Sequence, residues 1–141
     1  MMKEINLLVI DGQGGKIGSQ LISLIRSRLS EYPFSITAVG TNSTATGAML
    51  KAGADYGATG ENPVIVACRS TDVIIGPLGI VIADSLIGEV TAEMAAAVGR
   101  STAVKILIPV NKCNHIVAGV TDLSTTFLIE DVIEKLKKMC N

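Results

Sequence analysis

The sequence predicts a three-layer, Rossmann-like α/β domain with a mainly parallel sheet, formed by residues 1–141 as a single unit. Apolar runs of strand length alternate along the chain with segments in which apolar residues recur at helical spacing. A glycine cluster at 12–18 follows the first apolar run directly and precedes a helical segment. Because parallel strands need a crossover between them, this alternation places helices on both faces of one sheet.

The first third of the chain contains two strand–helix units. Ile5–Ile10 is a continuous apolar run, which is typical of a strand buried on both faces. Apolar residues then recur at helical spacing over 17–29, before a proline that ends the helix. Phe34–Val39 is the second predicted strand. A short helix capped by Ser43 or Thr44 follows, and a glycine ends it.

The middle of the chain contains a glycine-rich loop, 54–61, and an ambiguous segment after it. Asn62 and Pro63 suit the first positions of a helix. The body of that segment, Val64–Val66, is β-branched, so a strand is a fair alternative. Asp72–Ile75 is the next clear strand, and it ends in glycine and proline.

Two helices and two strands complete the pattern. Thr91 caps a helix that runs to about Val98. Lys105–Ile108 is a strand ended by a proline, and His115–Val117 is a short last strand. Ile129–Met139 has apolar residues on one helical face and Glu and Lys on the other, which predicts an amphipathic C-terminal helix.

Composition and charge exclude several classes of function. The net charge is −1, from 12 Lys and Arg against 13 Asp and Glu, so we expect no nucleic-acid or membrane partner. No apolar stretch approaches the ~18 residues of a membrane helix. The three cysteines are widely spaced, with no CxxC pair and no metal-ligand spacing. We therefore expect a cytoplasmic protein with reduced thiols and no bound metal.

The loops at the carboxyl ends of the strands are the candidate ligand site, since open parallel sheets bind ligands there. In the first loop a strand runs through glycines into a helix. Glycines let backbone N–H groups approach a phosphate, and the helix N-terminus adds a positive partial charge. We therefore expect a nucleotide or another phosphate-bearing small molecule there. The predicted ligand-binding residues are Gly12, Gln13, Gly14, Gly15, Lys16, Ile17, Thr41, Asn42, Ser43, Gly76, Pro77, Gly79 and Asn111.

The nucleotide pattern is incomplete at two points. The glycines follow GxGxxxG spacing, with Ile17 where the dinucleotide fingerprint GxGxxG has its third glycine. Neutral Thr41, Asn42 and Ser43 follow the second strand, instead of the carboxylate that binds the ribose of NAD. The ligand could therefore be NAD(P), a mononucleotide or a smaller phosphate ester. If NAD or NADP binds, we expect the protein to discriminate only weakly between the two. In the structural alternative, the glycines only allow a close strand–helix crossing, and Asp11 accepts hydrogen bonds from the loop amides.

A cysteine and two carboxylates are candidates for catalysis on the chemistry of their side chains. Cys113 lies in a loop at the predicted ligand-binding end, with Lys112 and His115 near it as cations that would favour a thiolate. Asp84 and Glu89 are carboxylates near a glycine loop and could act as acid or base. The alternatives are a packed, inert cysteine and a helix whose solvated ends carry the two carboxylates.

The run Leu78–Ala83 is apolar on every side, which is more than one sheet face covers, so we expect a homo-oligomer. A second functional hypothesis is a non-enzymatic regulatory or assembly protein whose glycine loops are structural and whose Leu78–Ile87 surface meets a partner. A small thiol-dependent enzyme that uses Cys113 is the third hypothesis.

Six motifs together carry a family resemblance: Val9–Gly15, Gly40–Ser43, Lys51–Asp55, Thr59–Asn62, Ile74–Pro77 and Ile108–Asn114. The sequence resembles a small family of bacterial domains of unknown function found in clostridia and their relatives. The resemblance covers nearly the whole chain. It implies a Rossmann-like fold and a bacterial cytosolic origin, and it implies no reaction, substrate or catalytic residue.

Overall fold

The computed structural model describes residues 3–110 and 114–141, which form one parallel sheet covered by helices. The strands are β1 (Ile5–Asp11), β2 (Phe34–Gly40), β3 (Tyr56–Thr59), β4 (Val73–Pro77) and β5 (Val104–Ile108). Their order across the sheet is β3-β2-β1-β4-β5, and every neighbouring pair is parallel. The predicted fold class, a Rossmann-like α/β fold with a parallel sheet, is confirmed.

Helices cover both faces of the sheet and create two hydrophobic cores. They are α1 (Lys16–Arg28), α2 (Ser43–Ala52), α3 (Glu61–Ala67), α4 (Ala92–Arg100), α5 (Thr125–Cys140) and a 3₁₀ helix, Leu78–Val81. One core packs α1, α2 and α5 against the sheet, and the other packs α3 and α4. Leu7 and Val9 of β1 enter the first core, and Leu8 and Ile10 enter the second. The continuous apolar run of β1 is therefore explained by burial on both faces.

One strand differs from the sequence prediction. Residues 54–61 are predicted to be a loop, but Tyr56–Thr59 within them forms β3. Its four residues pair with β2 at the edge of the sheet, and the side chain of Tyr56 is 65% exposed. An edge strand with little buried side-chain area has no apolar run to reveal it, because backbone pairing with β2 supplies its stability.

The segment after β3 is helical, which decides the ambiguity at Val64–Val66 in favour of a helix. The helix begins slightly earlier than predicted, with Gly60 as its N-cap. The N-cap of α2 is Asn42 instead of Ser43 or Thr44, because the Asn42 side chain accepts from the Ala45 N–H at 2.9 Å. 

His115–Val117 forms no strand in the described part of the chain, so that prediction is wrong. Two of its three residues are exposed, and the side chain of Ile116 is 95% exposed. Branched side chains favour a strand only where a neighbouring strand and a packed face are present.

The apolar run after β4 also does not form the helix that is the alternative to an acid or base role for Asp84 and Glu89. It forms the 3₁₀ helix Leu78–Val81 and then continues through turns as far as Glu89. The Ile80 side chain is buried in the second core, and Leu78, Val81 and Ile82 are partly buried. The apolar surface that predicts a subunit interface is thus covered largely within the chain. Among the described residues, no helix is long and apolar enough to cross a membrane.

The strand order reverses between β1 and β4, and the loop after β1 emerges at this switch point. The backbones of the two strands approach closely there: a Cβ on Gly76 would lie 2.4 Å from the carbonyl oxygen of Ile10. The sheet therefore places the glycine loop of residues 12–18 where open parallel sheets have their ligand crevice.

Candidate functional site

A cavity of about 320 Å³ lies beside the glycine loop, between the N-terminal ends of α1 and α5. The loop after β1 forms one wall, and Val110 and the start of α5 form the opposite wall. The lining residues are Asp11, Gly12, Gln13, Gly14, Lys16, Ile17, Gln20, Val110, Thr125 and Thr126. One wall of the cavity is thus the loop that the sequence predicts to bind ligand. The other wall includes α5, which the sequence does not predict to be part of the site.

The N-termini of two helices point their partial positive charge into this region. α1 begins at Lys16 and α5 begins at Thr125, and neither helix has an acidic residue in its first turn. The Lys16 side chain is exposed and adds a full positive charge. The Ser124 side chain accepts from the N–H of Phe127, so the first turn of α5 is partly capped. The two N-termini and Lys16 favour an anion in this cavity, whereas the buried Asp11 carboxylate, which also lines it, opposes one.

The glycines of the loop have different structural roles. Gly15 has a left-handed φ of 72°, and a Cβ there would lie 2.8 Å from the backbone of Ala45 in α2. Within residues 3–110 and 114–141, no atom lies within 4 Å of the place that a Cβ on Gly14 would take. The structure gives the Gly14 N–H no acceptor among the described residues. Gly15 therefore serves the packing of α1 on α2, whereas Gly14 faces open space.

Asp11 holds the loop from within. Its side chain is buried, and its two oxygens accept from the N–H groups of Gly12 and Gly18, each at 2.8 Å. Burial raises the pKa of Asp11, while the amides of Gly18 and Gly12 act in the opposite direction. This geometry is what the structural alternative for Asp11 expects. Two of the amides that a phosphate would approach are therefore occupied by the protein's own carboxylate.

Glu89 connects three loops above the sheet. Its Oε1 accepts from the Gln13 N–H at 2.8 Å and from the Thr41 hydroxyl at 2.6 Å. Asn42 donates to Glu89 Oε2 at 3.1 Å and to the Gln13 carbonyl at 2.9 Å. The hydrogen bond from Gln13, followed by that from Thr41, lowers the pKa of Glu89. A carboxylate therefore does lie beside the end of β2, although the sequence there has none.

The structure brings some of the predicted ligand-binding residues together and separates others. Those that line the cavity are Gly12, Gln13, Gly14, Lys16 and Ile17. Thr41 meets Gln13 through Glu89, and Asn42 donates both to Glu89 and directly to the Gln13 carbonyl. Neither residue lines the cavity. 

The remaining predicted residues lie apart from the cavity. Ser43 is exposed at the start of α2, and Gly76, Pro77 and Gly79 are buried away from the cavity lining. Asp84, a candidate acid or base, is exposed in the turn after the 3₁₀ helix. Asn111 and Cys113 lie outside the described residues.

The sequence prediction of the site lacks four residues that line the cavity: Gln20, Val110, Thr125 and Thr126. It names Glu89 only as a possible acid or base, and not as a partner of the glycine loop. Glu89 is 76 positions from the Gln13 amide that it contacts, so no local pattern marks it. The start of α5 had a usable signal, because Ser124 and two threonines precede an apolar helical pattern and Ser124 is its N-cap.

A second cavity, of about 380 Å³, continues between α1 and α5. It is lined by Ser19, Gln20, Ser23, Leu24, Thr126 and Ile129. Gln20 and Thr126 line both cavities, so the two adjoin along the groove between the helices. A ligand with an anionic group near Lys16 has room for a larger body in this groove.

A family model described as a domain of unknown function, DUF3842, matches residues 6–141. The chain belongs to this family. The match confirms the resemblance to a domain-of-unknown-function family that the motifs predict. No curated protein matches the chain.

Among solved structures, this DUF3842 chain is similar to the crystal structure of a dodecameric FMN-dependent UbiX-like decarboxylase from Escherichia coli O157:H7. The two sequences are 16% identical, and the TM-score is 0.46. The alignment covers 94% of this chain and 75% of that chain.

Proposed function

We propose that this DUF3842 protein binds a phosphate-bearing small molecule, such as a nucleotide, with its phosphate in the 320 Å³ cavity. One observation carries the proposal: two helix N-termini without first-turn acids converge on this cavity beside the charge of Lys16. The N–H of Gly14, which has no acceptor among the described residues, and the hydroxyls of Thr125 and Thr126 would supply hydrogen bonds. Asp11 also lines the cavity, but both of its oxygens already accept hydrogen bonds from the loop.

The ligand class covers NAD(P), mononucleotides and smaller phosphate esters. The phosphate is the group that the cavity recognises, and the adjoining groove between α1 and α5 would take the rest of the molecule. If a dinucleotide binds, we expect weak preference between NAD and NADP, since Thr41, Asn42 and Ser43 are neutral.

Calorimetric titration with AMP, FMN, NADH, NADPH and inorganic phosphate tests the proposal. Lys16→Ala should weaken binding at least about tenfold, because it removes the cation that faces the phosphate. Lys51→Ala removes the same charge from an exposed position on α2 and should bind as the wild type does. Failure of all five ligands to bind the wild type, or equal binding by Lys16→Ala, would overturn the proposal.

Gly14→Val probes the backbone of the same cavity. The place of a Cβ at position 14 has no atom of residues 3–110 and 114–141 within 4 Å, so the fold should be kept. The added atoms would hold a phosphate away from the Gly14 N–H, and binding should be lost. Unchanged affinity in a folded Gly14→Val variant would exclude this position from the site.

A non-enzymatic regulatory or assembly protein is the second candidate function. It is favoured by the observation that Asp11 and Glu89 already accept hydrogen bonds from the amides of Gly12, Gln13 and Gly18. In that case the glycine loop is a structural joint, and the titrations detect no ligand. The third candidate, a thiol-dependent enzyme using Cys113, depends on the reactivity of that cysteine.

We also propose that the protein is a homo-oligomer of single-domain subunits. All described strands belong to one sheet, which supports one domain. Exposed Tyr56 on the edge strand β3 and exposed Val104 on the edge strand β5 support association through surfaces other than the 3₁₀ helix.

A further inference from the structure

The Glu89 carboxylate is held by hydrogen-bond donors that belong to two other loops. The Gln13 N–H and the Thr41 hydroxyl donate to Oε1, at 2.8 and 2.6 Å. The Asn42 side-chain amide donates to Oε2 at 3.1 Å. These donors stand at the carboxyl ends of β1 and β2, where open parallel sheets bind ligands. The three groups thus bind an oxyanion, and in this structure the oxyanion belongs to the chain itself.

We propose that the Gln13, Thr41 and Asn42 donors form an oxyanion subsite that Glu89 occupies when no ligand is bound. The carboxylate or phosphate of a small molecule would take the place of the Glu89 carboxylate. Of the three donors, only Gln13 lines the 320 Å³ cavity that contains Lys16, which is called the Lys16 cavity below. The subsite therefore goes beyond the proposed function and does not depend on it.

The space above Gly12 shows that Glu89 and a ligand exclude one another. A Cβ on Gly12 would lie 2.6 Å from Thr41 Oγ1, 2.7 Å from Glu89 Oε1 and 2.8 Å from Leu86 Cδ1. The space directly above Gly12 is therefore filled by Thr41, Glu89 and Leu86. The turn that carries Leu86 and Glu89 must move before a ligand enters, so the ligand and Glu89 compete for the same donors.

The backbone of that turn lowers the cost of moving it. Asp84, Leu86 and Ile87 have left-handed φ values of 66°, 55° and 55°, which are unfavourable for residues other than glycine. Ile87 is β-branched, and its side chain is 96% exposed, so packing does not compensate for its conformation. A turn that is strained while Glu89 is bound can relax when a ligand displaces it.

The Gln13 amide resonance reports directly on the subsite. Isotope-labelled wild type and Glu89→Ala are titrated with sodium acetate and, separately, with inorganic phosphate at constant ionic strength. In Glu89→Ala we expect a saturable shift of the Gln13 amide, with an apparent affinity at least about tenfold tighter than in the wild type. If Glu89 occupies the subsite about nine-tenths of the time, the subsite is free for about one-tenth of the time, and the apparent affinity of the wild type is about tenfold weaker. The two probes show whether the subsite prefers a carboxylate or a phosphate.

Glu93→Ala is the matched control, because it removes one exposed carboxylate from the nearby first turn of α4. It should titrate as the wild type does. Glu89→Gln keeps the size of the side chain and removes its charge, so it serves if Glu89→Ala does not give a folded spectrum. A folded Glu89 variant without a saturable Gln13 shift, or with the affinity of the wild type, would refute the subsite.

The same titrations separate this inference from the proposed function. Phosphate in the Lys16 cavity should shift the amides of Gly14 and Thr126, and in Lys16→Ala those shifts should need at least about tenfold more phosphate. The Gln13 response of Glu89→Ala should persist when Lys16→Ala is added. Phosphate shifts at Gly14 with none at Gln13 would overturn the subsite and leave the cavity proposal standing. Shifts at Gln13 alone would support the subsite and count against the cavity.

Discussion

Replacing Gly15 by alanine should destabilise the protein, whereas the same change at Gly14 should not. Gly15 has a φ of 72°, and an L-residue held there costs roughly 1–2 kcal/mol. The new Cβ would lie 2.8 Å from both Cα and the carbonyl oxygen of Ala45. Backbone atoms cannot swing aside as a side chain does, so α1 and α2 must separate, at a further cost of about 1–3 kcal/mol. We expect a loss of about 2–5 kcal/mol in the free energy of unfolding.

Gly14→Ala is the matched control, since none of the described residues has an atom within 4 Å of its Cβ and its φ is not left-handed. The change in the free energy of unfolding should be smaller than about 1 kcal/mol. Urea unfolding followed by circular dichroism measures both variants, and thermal unfolding should shift by roughly 3 °C per kcal/mol for a chain of this size. A Gly15→Ala variant as stable as the wild type, or an equal loss in both variants, would refute the assignment of separate roles.

Three further predictions concern ionisation, thiol reactivity and assembly. Burial raises the pKa of Asp11, so the stability of the wild type relative to Asp11→Asn should fall as the pH rises above 3.8 through the folded pKa. Hydrogen bonds lower the pKa of Glu89, so the stability of the wild type relative to Glu89→Gln should be lost as the pH falls below 4.5. Urea unfolding at a series of pH values measures how the free energy of unfolding changes for each pair, and the opposite slope for either pair would contradict its prediction. Burial raises the pKa of Cys68 and Cys140, which lowers the thiolate fraction of both. Thiol labelling of the native protein, resolved by mass, should therefore be fastest at Cys113. Equal or slower labelling at Cys113 would indicate a structural cysteine. Light scattering at micromolar concentration should detect at least a dimer, and a monomer would contradict the oligomer proposal.

The strands that the sequence reveals are those with buried side chains. β1 and β4 are apolar along most of their length because helices cover both faces of the sheet at its centre. The sequence does not predict β3, because its side chains are mostly exposed and its pairing with β2 is made by the backbone. Backbone pairing is common to all residues except proline, so it leaves little trace in the sequence.

The predicted helix after β4 fails for a related reason. Leu78–Ala83 is apolar, but Gly79 and Pro77 favour a tight turn. Of the large apolar side chains in this run, only that of Ile80 is fully buried. The chain then continues through left-handed residues as far as Gly88. These conformations bring Glu89 to Gln13, a contact that no helical periodicity predicts.

Local sequence determined the parallel α/β fold and the glycine loop after β1, because hydrophobic periodicity and the backbone freedom of glycine act over a few neighbouring residues. Tertiary structure alone decided which amides of that loop remain available to a ligand. Asp11 takes those of Gly12 and Gly18, Glu89 takes that of Gln13, and Gly14 is left facing a cavity that α5 completes. The physical reason is that a hydrogen-bond partner is selected by distance in space, and Glu89 and α5 reach the loop only after the sheet has formed.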